Sequence, residues 1–417
     1  MSWDTVRFGD LYSAESRNGL TKPSRVRGSG YKMINMGELF ANDRIYDIPM
    51  ELVPLKESEK VNAKVECGDL LFARQSLVLE GAGKCSIVME VSPLTVFESH
   101  LIRVRLDKTR ALPMFYYYYF KSPLSPMKSI VSQCAQAGIR GSDLQELQVI
   151  LPPVEEQQRI VDVISTYDDL IENNQKQIKL LEESAQRLYK EWFQDLRFPG
   201  HETTPITDGI PEGWQRKTVA ECLSFHGNGG WGKETPMEKN EHPGKVIRGT
   251  DIEDIKAGRF NDVPLRYHTD NDIKKRTLKN YDLVFELSNG NINNIGRCLL
   301  VDDLVLKNCG ENTICASFCK LLRPANRLHS LVLYWEIQDM QASGRMLPFK
   351  KHGANGINNF DFDGFLNHEL LIPNNADMLA PIEAIMTQIC IIQGQFALLT
   401  ESRDRLLPKL MNGEIEV

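Results

Sequence analysis

One pattern occurs twice in this chain, and it limits the fold more than anything else in the sequence. Residues 175–188 read Gln-Lys-Gln-Ile-Lys-Leu-Leu-Glu-Glu-Ser-Ala-Gln-Arg-Leu, and residues 393–406 read Gln-Gly-Gln-Phe-Ala-Leu-Leu-Thr-Glu-Ser-Arg-Asp-Arg-Leu. Gln, Gln, Leu-Leu, Glu-Ser and Arg-Leu recur in the same register, 218 residues apart. A repeat of that length means two copies of one unit and a pseudo-symmetric molecule.

Both copies lie in long helical stretches. In the first, Ile160, Ile164, Tyr167, Ile171, Asn174, Ile178, Leu181, Ala185, Leu188 and Trp192 alternate steps of four and three. The second runs Met378, Ile382, Ile385, Ile389, Ile392, Phe396, Leu399, Arg403, Leu406 and Leu410. A 3.5-residue apolar period is that of a coiled-coil seam, and the single polar interruptions, Asn174 and Arg403, are of the kind that fix register. At 1.5 Å per residue each stretch is roughly 50–60 Å long. The simplest packing pairs the two helices antiparallel, with one large unit at each end. Pro152-Pro153 and Pro373 precede the helices; Pro199-Gly200 and Asn412-Gly413 follow them.

The duplication extends beyond the helices. Gly68-Asp69-Leu70-Leu71-Phe72 matches Tyr281-Asp282-Leu283-Val284-Phe285, Gly83-Lys84-Cys85 matches Gly296-Arg297-Cys298, and Glu98 matches Glu311, all offset by 213. Gly138-Ile139 matches Gly356-Ile357 at 218, whereas 13–64 does not resemble 224–277. Short β-rich runs between Gly, Asn and Pro predict mixed α/β units with a twisted or barrel-like sheet. The expected fold class is α+β: two pseudo-symmetric α/β domains (1–150 and 214–372), a central helix (151–198), a linker (199–213) and a C-terminal helix (373–417). A shared scaffold with divergent loops puts recognition in the loops.

The net charge of −7 is unevenly spread. Residues 154–213 and 374–417 carry −7 and −3, while the two large units are near neutral at +2 and +1. A phosphate-facing surface is therefore possible on the two large units. No run of 18 apolar residues occurs, which argues against a membrane span. The opening residues lack an apolar signal core, and nine cysteines without framework spacing fit a reducing compartment, so the cytoplasm is expected.

Leu-Pro-Pro-Val-Glu-Glu-Gln-Gln-Arg-Ile (151–160), Trp-Phe-Gln-Asp-Leu-Arg-Phe-Pro-Gly (192–200), Ile-Pro-Glu-Gly-Trp (210–214) and Leu-Leu-Pro-Lys-Leu-Met-Asn-Gly-Glu-Ile (406–415) occur in order across nearly the whole chain. Together they make the sequence resemble the specificity subunits of type I restriction-modification systems. The resemblance implies two target-recognition domains, each reading half of a split site on double-stranded DNA. It implies an antiparallel coiled coil that sets the spacer and docks two modification subunits. Those subunits would carry S-adenosylmethionine and methylate adenine, and a restriction (motor-nuclease) subunit joins them where one is present. This chain would be non-catalytic, with no cofactor or metal of its own. The second helical region lacks the Pro-Pro and Glu-Gln-Gln of the first, which puts equal docking at that end in doubt.

Phosphates are held by Lys, Arg and backbone amides, and base edges are read by Arg, Asn and Gln. In the first unit the candidates are Arg25 and Arg27, then Arg74, Gln75 and Ser76 after the Gly-Asp-Leu-Leu-Phe strand, Lys84, and Gln133, Gln136 and Arg140 in a late loop. In the second they are Lys233, Asn289, Asn291, Asn293, Arg297, Lys350, Lys351, Asn355 and Asn358. Asn-Gly clusters also form ordinary turns, so that alternative stands beside base contact.

Other signals carry less. Gly227–Glu234 approaches a P-loop, but Glu replaces the Ser or Thr and Pro236 forbids the helix that should follow. Cys309, Cys315 and Cys319 lack zinc spacing, and Cys315 and Cys319 are expected on one strand face. Tyr116–Tyr119 reads as core rather than as a base-stacking platform. No methyltransferase, helicase or nuclease motif occurs. The rival functions are a coiled-coil scaffold with two protein-binding domains, a specificity subunit of a methylation-only or other phage-defence system, and a freestanding enzyme.

Overall fold

The computed structural model describes residues 3–76, 78–133, 137–353 and 356–416. Two compact units emerge: residues 1–169 with 400–417, and residues 170–399. Each holds one α/β domain and its own stretch of both long helices.

In the first unit the edge pair Asp4–Arg7 and Gln148–Leu151 runs antiparallel. The main sheet has five strands in the order Tyr12–Asn18, Leu101–Leu106, Leu70–Ala73, Cys85–Val88, Arg44–Ile45. Its centre, Leu-Leu-Phe-Ala, is buried at all four positions, so that strand reads as a continuous apolar run rather than an alternating one. Tyr31–Ile34 pairs antiparallel with Glu51–Val53 and parallel with Val96–Phe97. The helix Pro113–Lys121 starts on proline, whose fixed φ suits a first helical turn. Its aromatic residues Phe115–Phe120 are buried in the same core as Phe8, Leu11 and Phe72. Tyr116–Tyr119 is thus core.

The second unit repeats this topology. Leu223–Asn228, Cys319–Pro324, Leu283–Glu286 and Cys298–Leu300 form its main sheet in that order. Val246 and Ile247 pair parallel with Ile314 and Cys315, as Met33 and Ile34 do with Val96 and Phe97. The segments 13–64 and 224–277 therefore share strands that sequence comparison does not show: Tyr12–Asn18 matches Leu223–Asn228 on the main sheet, and Tyr31–Ile34 with Glu51–Val53 matches His242–Ile247 with Leu265–His268. These pairings also correct one match: Glu98 is equivalent to Ala316, not Glu311. Glu98 N donates to Ile34 O, and Ala316 N donates to the equivalent Ile247 O. Cys315 ends one strand and Cys319 begins the next, so they do not share a strand face. The eight described cysteines are free thiols, and burial raises Cys315 to about 12. Among the described residues no cluster could hold a metal.

The long helices span Val154–Tyr189, continued by a π-turn over Lys190–Gln194, and Ala380–Met411. In the first unit Ile160 and Ile164 share an apolar cluster with Leu407, Leu410 and Met411. In the second, Ile178 and Leu181 cluster with Ile385, Ile389 and Ile392, while Ala185 and Tyr189 join the cluster of Leu379 and Ile382. Within each unit, advancing along one helix means retreating along the other, so the pairing is antiparallel. Ile171 and Phe396 are buried, and Leu188 is partly buried.

The strict heptad is not kept. Asp168, not Tyr167, is buried, and Leu407 lies deeper than Leu406. A straight helix repeats every 3.6 residues and drifts about 20° per heptad, so a 3.5-residue pattern misplaces individual positions. Leu399 and Arg403 are half-buried, and Asn174 is buried. The segment 376–411 is long and apolar enough to cross a membrane, although it has no unbroken apolar run. Ile382, Ile392 and Phe396 on it are buried in protein.

Arg403 finds a partner in the first unit. Its Nη1 donates to Asp168 Oδ1 at 2.8 Å, and Asp168 also meets Arg44, whose side chain is 3% exposed. Burial alone would lower the pKa of the Arg44 guanidinium, but Tyr118, Asp169 and Asp168 hold it above its ordinary range. Asp168→Ala leaves two arginines short of a counter-charge. Urea denaturation of the full chain is expected to show the first unit destabilised by about 3–5 kcal/mol, with a change below about 1 kcal/mol counting against a structural role.

Candidate nucleic-acid interface

In each unit the two candidate loops converge on one small sheet. In the first, Gln75-Ser76 pairs with Ala137-Gly138, which pairs with Ser132-Gln133. In the second, Ser288-Asn289 pairs with Asn358–Phe360, which pairs with Lys350-Lys351. The registers align Gly138 with Asn359, because they face Gln75 and Ser288 respectively. Ile139 N donates to Arg74 O and Phe360 N to Leu287 O, in matching positions. The Gly138-Ile139 to Gly356-Ile357 match is thus three residues out. Two glycine-isoleucine doublets coincide without occupying the same place.

In the first unit the cations differ in how free they are. Arg27 binds Glu51 at 2.6 Å and Lys22 binds Glu59 at 2.8 Å, whereas Arg25 is exposed and makes no ion pair among the described residues. Arg74 is half-buried near the Ser99 carbonyl. Gln75 and Ser76 are half-buried on the small sheet, and Ser76 Oγ accepts from Val78 N. Lys84 donates to Phe40 O at 2.8 Å and lies 3.4 Å from Asp43. Arg140 is exposed where the short helix Gly141–Glu146 begins. Gln133 is placed by its backbone pairing, and Gln136 lies outside the described residues.

In the second unit much of the Asn-rich loop builds itself. Asn289 Oδ1 accepts from Asn291 N at 2.7 Å and Asn291 Oδ1 from Asn293 N at 3.0 Å. Short amide side chains commonly brace turns this way. Asn289 Nδ2 donates to buried Glu286 at 2.7 Å. Arg297 donates to Glu286 at 2.8 Å and to Gly249 O at 2.8 Å, so much of its guanidinium is committed inside the fold. Asn358 is buried; its Nδ2 donates to Gly290 O at 2.9 Å and its Oδ1 faces His352. It ties the two loops together. Lys350 reaches Asn293 O, and burial lowers its pKa; Lys351 pairs with Asp361 at 2.8 Å. Lys233 and Asn293 are exposed, and Asn355 lies outside the described residues.

The sequence reading missed several groups. A cavity of about 510 Å3 in the second unit is lined by Trp231, Arg248, Glu286, Asn289, Phe318 and Ile357 among others. Trp231, Phe318 and Ile357 are exposed apolar residues. Asn359 is exposed on the middle strand of the small sheet and accepts from Ser288 Oγ. Only the strand pairing singles out Asn359, and no local motif marks the cavity wall. The P-loop-like stretch forms the end of the strand Leu223–Asn228 and then a loop with no following helix, as Pro236 predicts.

Two domains of one α/β topology, each bringing two divergent polar loops onto one small sheet, make this a duplicated α/β protein. Residues 1–183 match the family model described as "Type I restriction modification DNA specificity domain". The whole chain is 24% identical over 435 aligned residues to the type I restriction enzyme MjaIX specificity subunit of Methanocaldococcus jannaschii, covering 94% of it. A 165-residue stretch is 32% identical to the EcoKI specificity subunit of Escherichia coli K12, covering 38% of this chain and 35% of that one. The crystal structure of the S subunit of a type I restriction-modification system from M. genitalium matches with a TM-score of 0.53 at 14% identity. It covers 98% of this chain and 96% of that one, and shares the fold. Its first 183 residues thus match a type I restriction-modification DNA specificity domain, and the whole chain is similar to type I specificity subunits.

Asn358→Ala removes the tie between the two loops of the second unit. Loss of a buried amide and its partners is expected to cost about 1–3 kcal/mol. Amide hydrogen exchange of 288–294 should quicken while that of Leu283–Glu286 stays slow. Unchanged exchange in the loop would show that Asn358 is not the tie.

Proposed function

We propose that the protein reads a bipartite site on double-stranded DNA, one half with each α/β domain, and holds two modification subunits that methylate adenine with their own S-adenosylmethionine. A restriction subunit joins where the system has one, and the complex works in the cytoplasm. The observation that carries this reading is the convergence, in each unit, of two polar loops on one small sheet over a shared scaffold. A common framework presenting different Arg, Asn and Gln side chains suits reading two different sequences. Arg25, Arg140, Lys233 and Asn293 are the exposed groups best disposed to meet DNA in this reading.

Exchanging residues 214–372 for those of a relative is expected to alter one half of the methylated motif in cells carrying the gene with its neighbours. A change in both halves, or in neither, refutes reading by separate domains. A protein scaffold with no DNA role is separated by salt. DNA affinity should fall steeply as salt rises, with log K linear in log salt, whereas a scaffold would show no such DNA binding.

Partner docking is supported by the surface of the helices in the second unit. Leu170, Leu180, Ile391 and Leu398 are exposed there on stretches with little net charge: 170–189 carries three cations and three carboxylates, and 380–399 a single carboxylate. Exposed leucines and isoleucines of this kind suit a protein partner rather than phosphate. Leu180→Glu with Leu398→Glu is expected to weaken capture of the modification subunits at least about tenfold, since burying an unpaired carboxylate costs more than 1.4 kcal/mol. Wild-type capture by the double variant would place docking elsewhere.

A further inference from the structure

Each unit places a carboxylate with little access to water at one position of its scaffold, and the two units take it from different strands. Ala73 and Glu286 are equivalent: Ala73 N donates to Lys84 O, and Glu286 N donates to Arg297 O, both at 2.9 Å. Glu98 and Ala316 are equivalent through the donation to Ile34 O or Ile247 O described above. The first unit thus has Ala73 and Glu98 where the second has Glu286 and Ala316. The carboxylate has changed strands.

Both carboxylates arrive at one place on the scaffold. Glu98 Oε1 accepts from Met36 N. Met36 follows the strand Tyr31–Ile34 just as Gly249 follows its counterpart, 213 residues on. A Cβ on Gly249 would lie 2.0 Å from Glu286 Oε1, so this position is glycine because the carboxylate occupies that space. Glu286 is 2% exposed and Glu98 12%. A carboxylate with so little access to water needs nearby donors. The groups it faces differ between units. Glu98 Oε2 lies 3.4 Å from Nδ1 of exposed His100. Glu286 takes Asn289 Nδ2 on one oxygen and Arg297 Nε on the other. Asn289 lines the cavity beside Trp231 and Phe318.

We propose that Glu98 and Glu286 are positioning residues for DNA reading, Glu98 aiming His100 in the first unit and Glu286 aiming Asn289 in the second. This rests on the reading of a bipartite site proposed above. A side chain that discriminates bases must be held in one orientation, and a buried acceptor behind it does so. Moving that acceptor from one strand to the other presents a different side chain without altering the sheet. Two reading surfaces thus arise from one duplicated framework.

The test uses the full-length chain in cells with its neighbouring modification subunits, with every methylated adenine and its flanking bases mapped. The variants are Glu98→Gln and Glu286→Gln, which keep shape and remove charge. Each is expected to relax at least one position by about fivefold or more in methylation preference, in opposite halves of the motif. A uniform loss of methylation with the motif intact would mean a purely structural carboxylate and would overturn the proposal, as would relaxation of the same half by both variants. Should a Gln variant yield no methylation, Asn289→Ala and His100→Ala decide. Relaxation in opposite halves supports the assignment, and an unaltered motif overturns it. If the wild-type chain yields no two-part motif, the DNA-reading function itself fails, which is a separate result.

Discussion

The ion cluster around Asp168 sets the geometry of the first unit. Arg403 reaches Asp168 from the second long helix, and Arg44 reaches Asp168 and Asp169 from the edge strand of the main sheet. Arg44 also donates to Tyr118 at 2.7 Å, on the aromatic helix. Four elements therefore meet at Arg44 and Asp168, which are nearly excluded from water, with Arg403 and Asp169 nearer the solvent. Apolar side chains in a helix seam tolerate sliding, but a buried charge without its partner does not. A slip of one heptad would move Arg403 about 10 Å along the axis, far beyond salt-bridge reach. The surrounding Ile160, Ile164, Leu407 and Leu410 supply the apolar burial, and the charges select the register in which they supply it.

The same division of labour runs through the α/β domains. Their backbone pairings coincide down to single hydrogen bonds, while the side chains at equivalent places do not. Leu70–Ala73 and Leu283–Glu286 are both buried centre strands, flanked by the same partners. Both units close with a small three-stranded sheet that gathers loops separated in sequence. Such a framework tolerates change at its loops, because the loops contribute little to the core.

That distinction also decides what could be read without coordinates. The Asp-Leu-Leu-Phe and Asp-Leu-Val-Phe matches are legible because a strand buried on every side admits few alternatives. Asp69 and Asp282 are legible for a related reason: each accepts from an arginine on the neighbouring strand, Arg105 and Arg323. The late-loop match misleads because a Gly-Ile doublet is too short to define register, which only the pairing with Gln75 and Ser288 shows. The roles of Asn289, Asn291 and Asn358 were also hidden. An asparagine that braces a turn, one that ties two loops and one that faces a ligand look alike in a sequence. The strands shared by 13–64 and 224–277 escaped because backbone pairing fixes them and their largely solvent-facing side chains are free to differ. The long helices were legible as helices, yet Asp168 was not, since the drift of a straight helix brings it inward in place of Tyr167.

Charge distribution argues for where DNA can and cannot lie. The negative excess sits mainly in residues 154–169, with five carboxylates and one cation, and in 195–213, with four carboxylates and one cation, and a phosphate backbone approaching these meets like charge. At physiological salt that repulsion reaches about 8 Å, so it acts on close contact and not across the molecule. The α/β domains are near neutral overall, and exposed Arg25, Arg140 and Lys233 are cations without the buried pairing that holds Arg44 or Arg297. In the proposed reading, repulsion from these acidic stretches and cations on the domains favour a duplex against the domains. The exposed Leu180 and Leu398 lie on helix stretches of little net charge, an apolar surface of the kind the proposed partner docking needs. In the proposed reading, cations on the domains suit nucleic acid and the apolar helix faces suit protein, so the two ligands are sorted by the chemistry of the side chains each surface exposes.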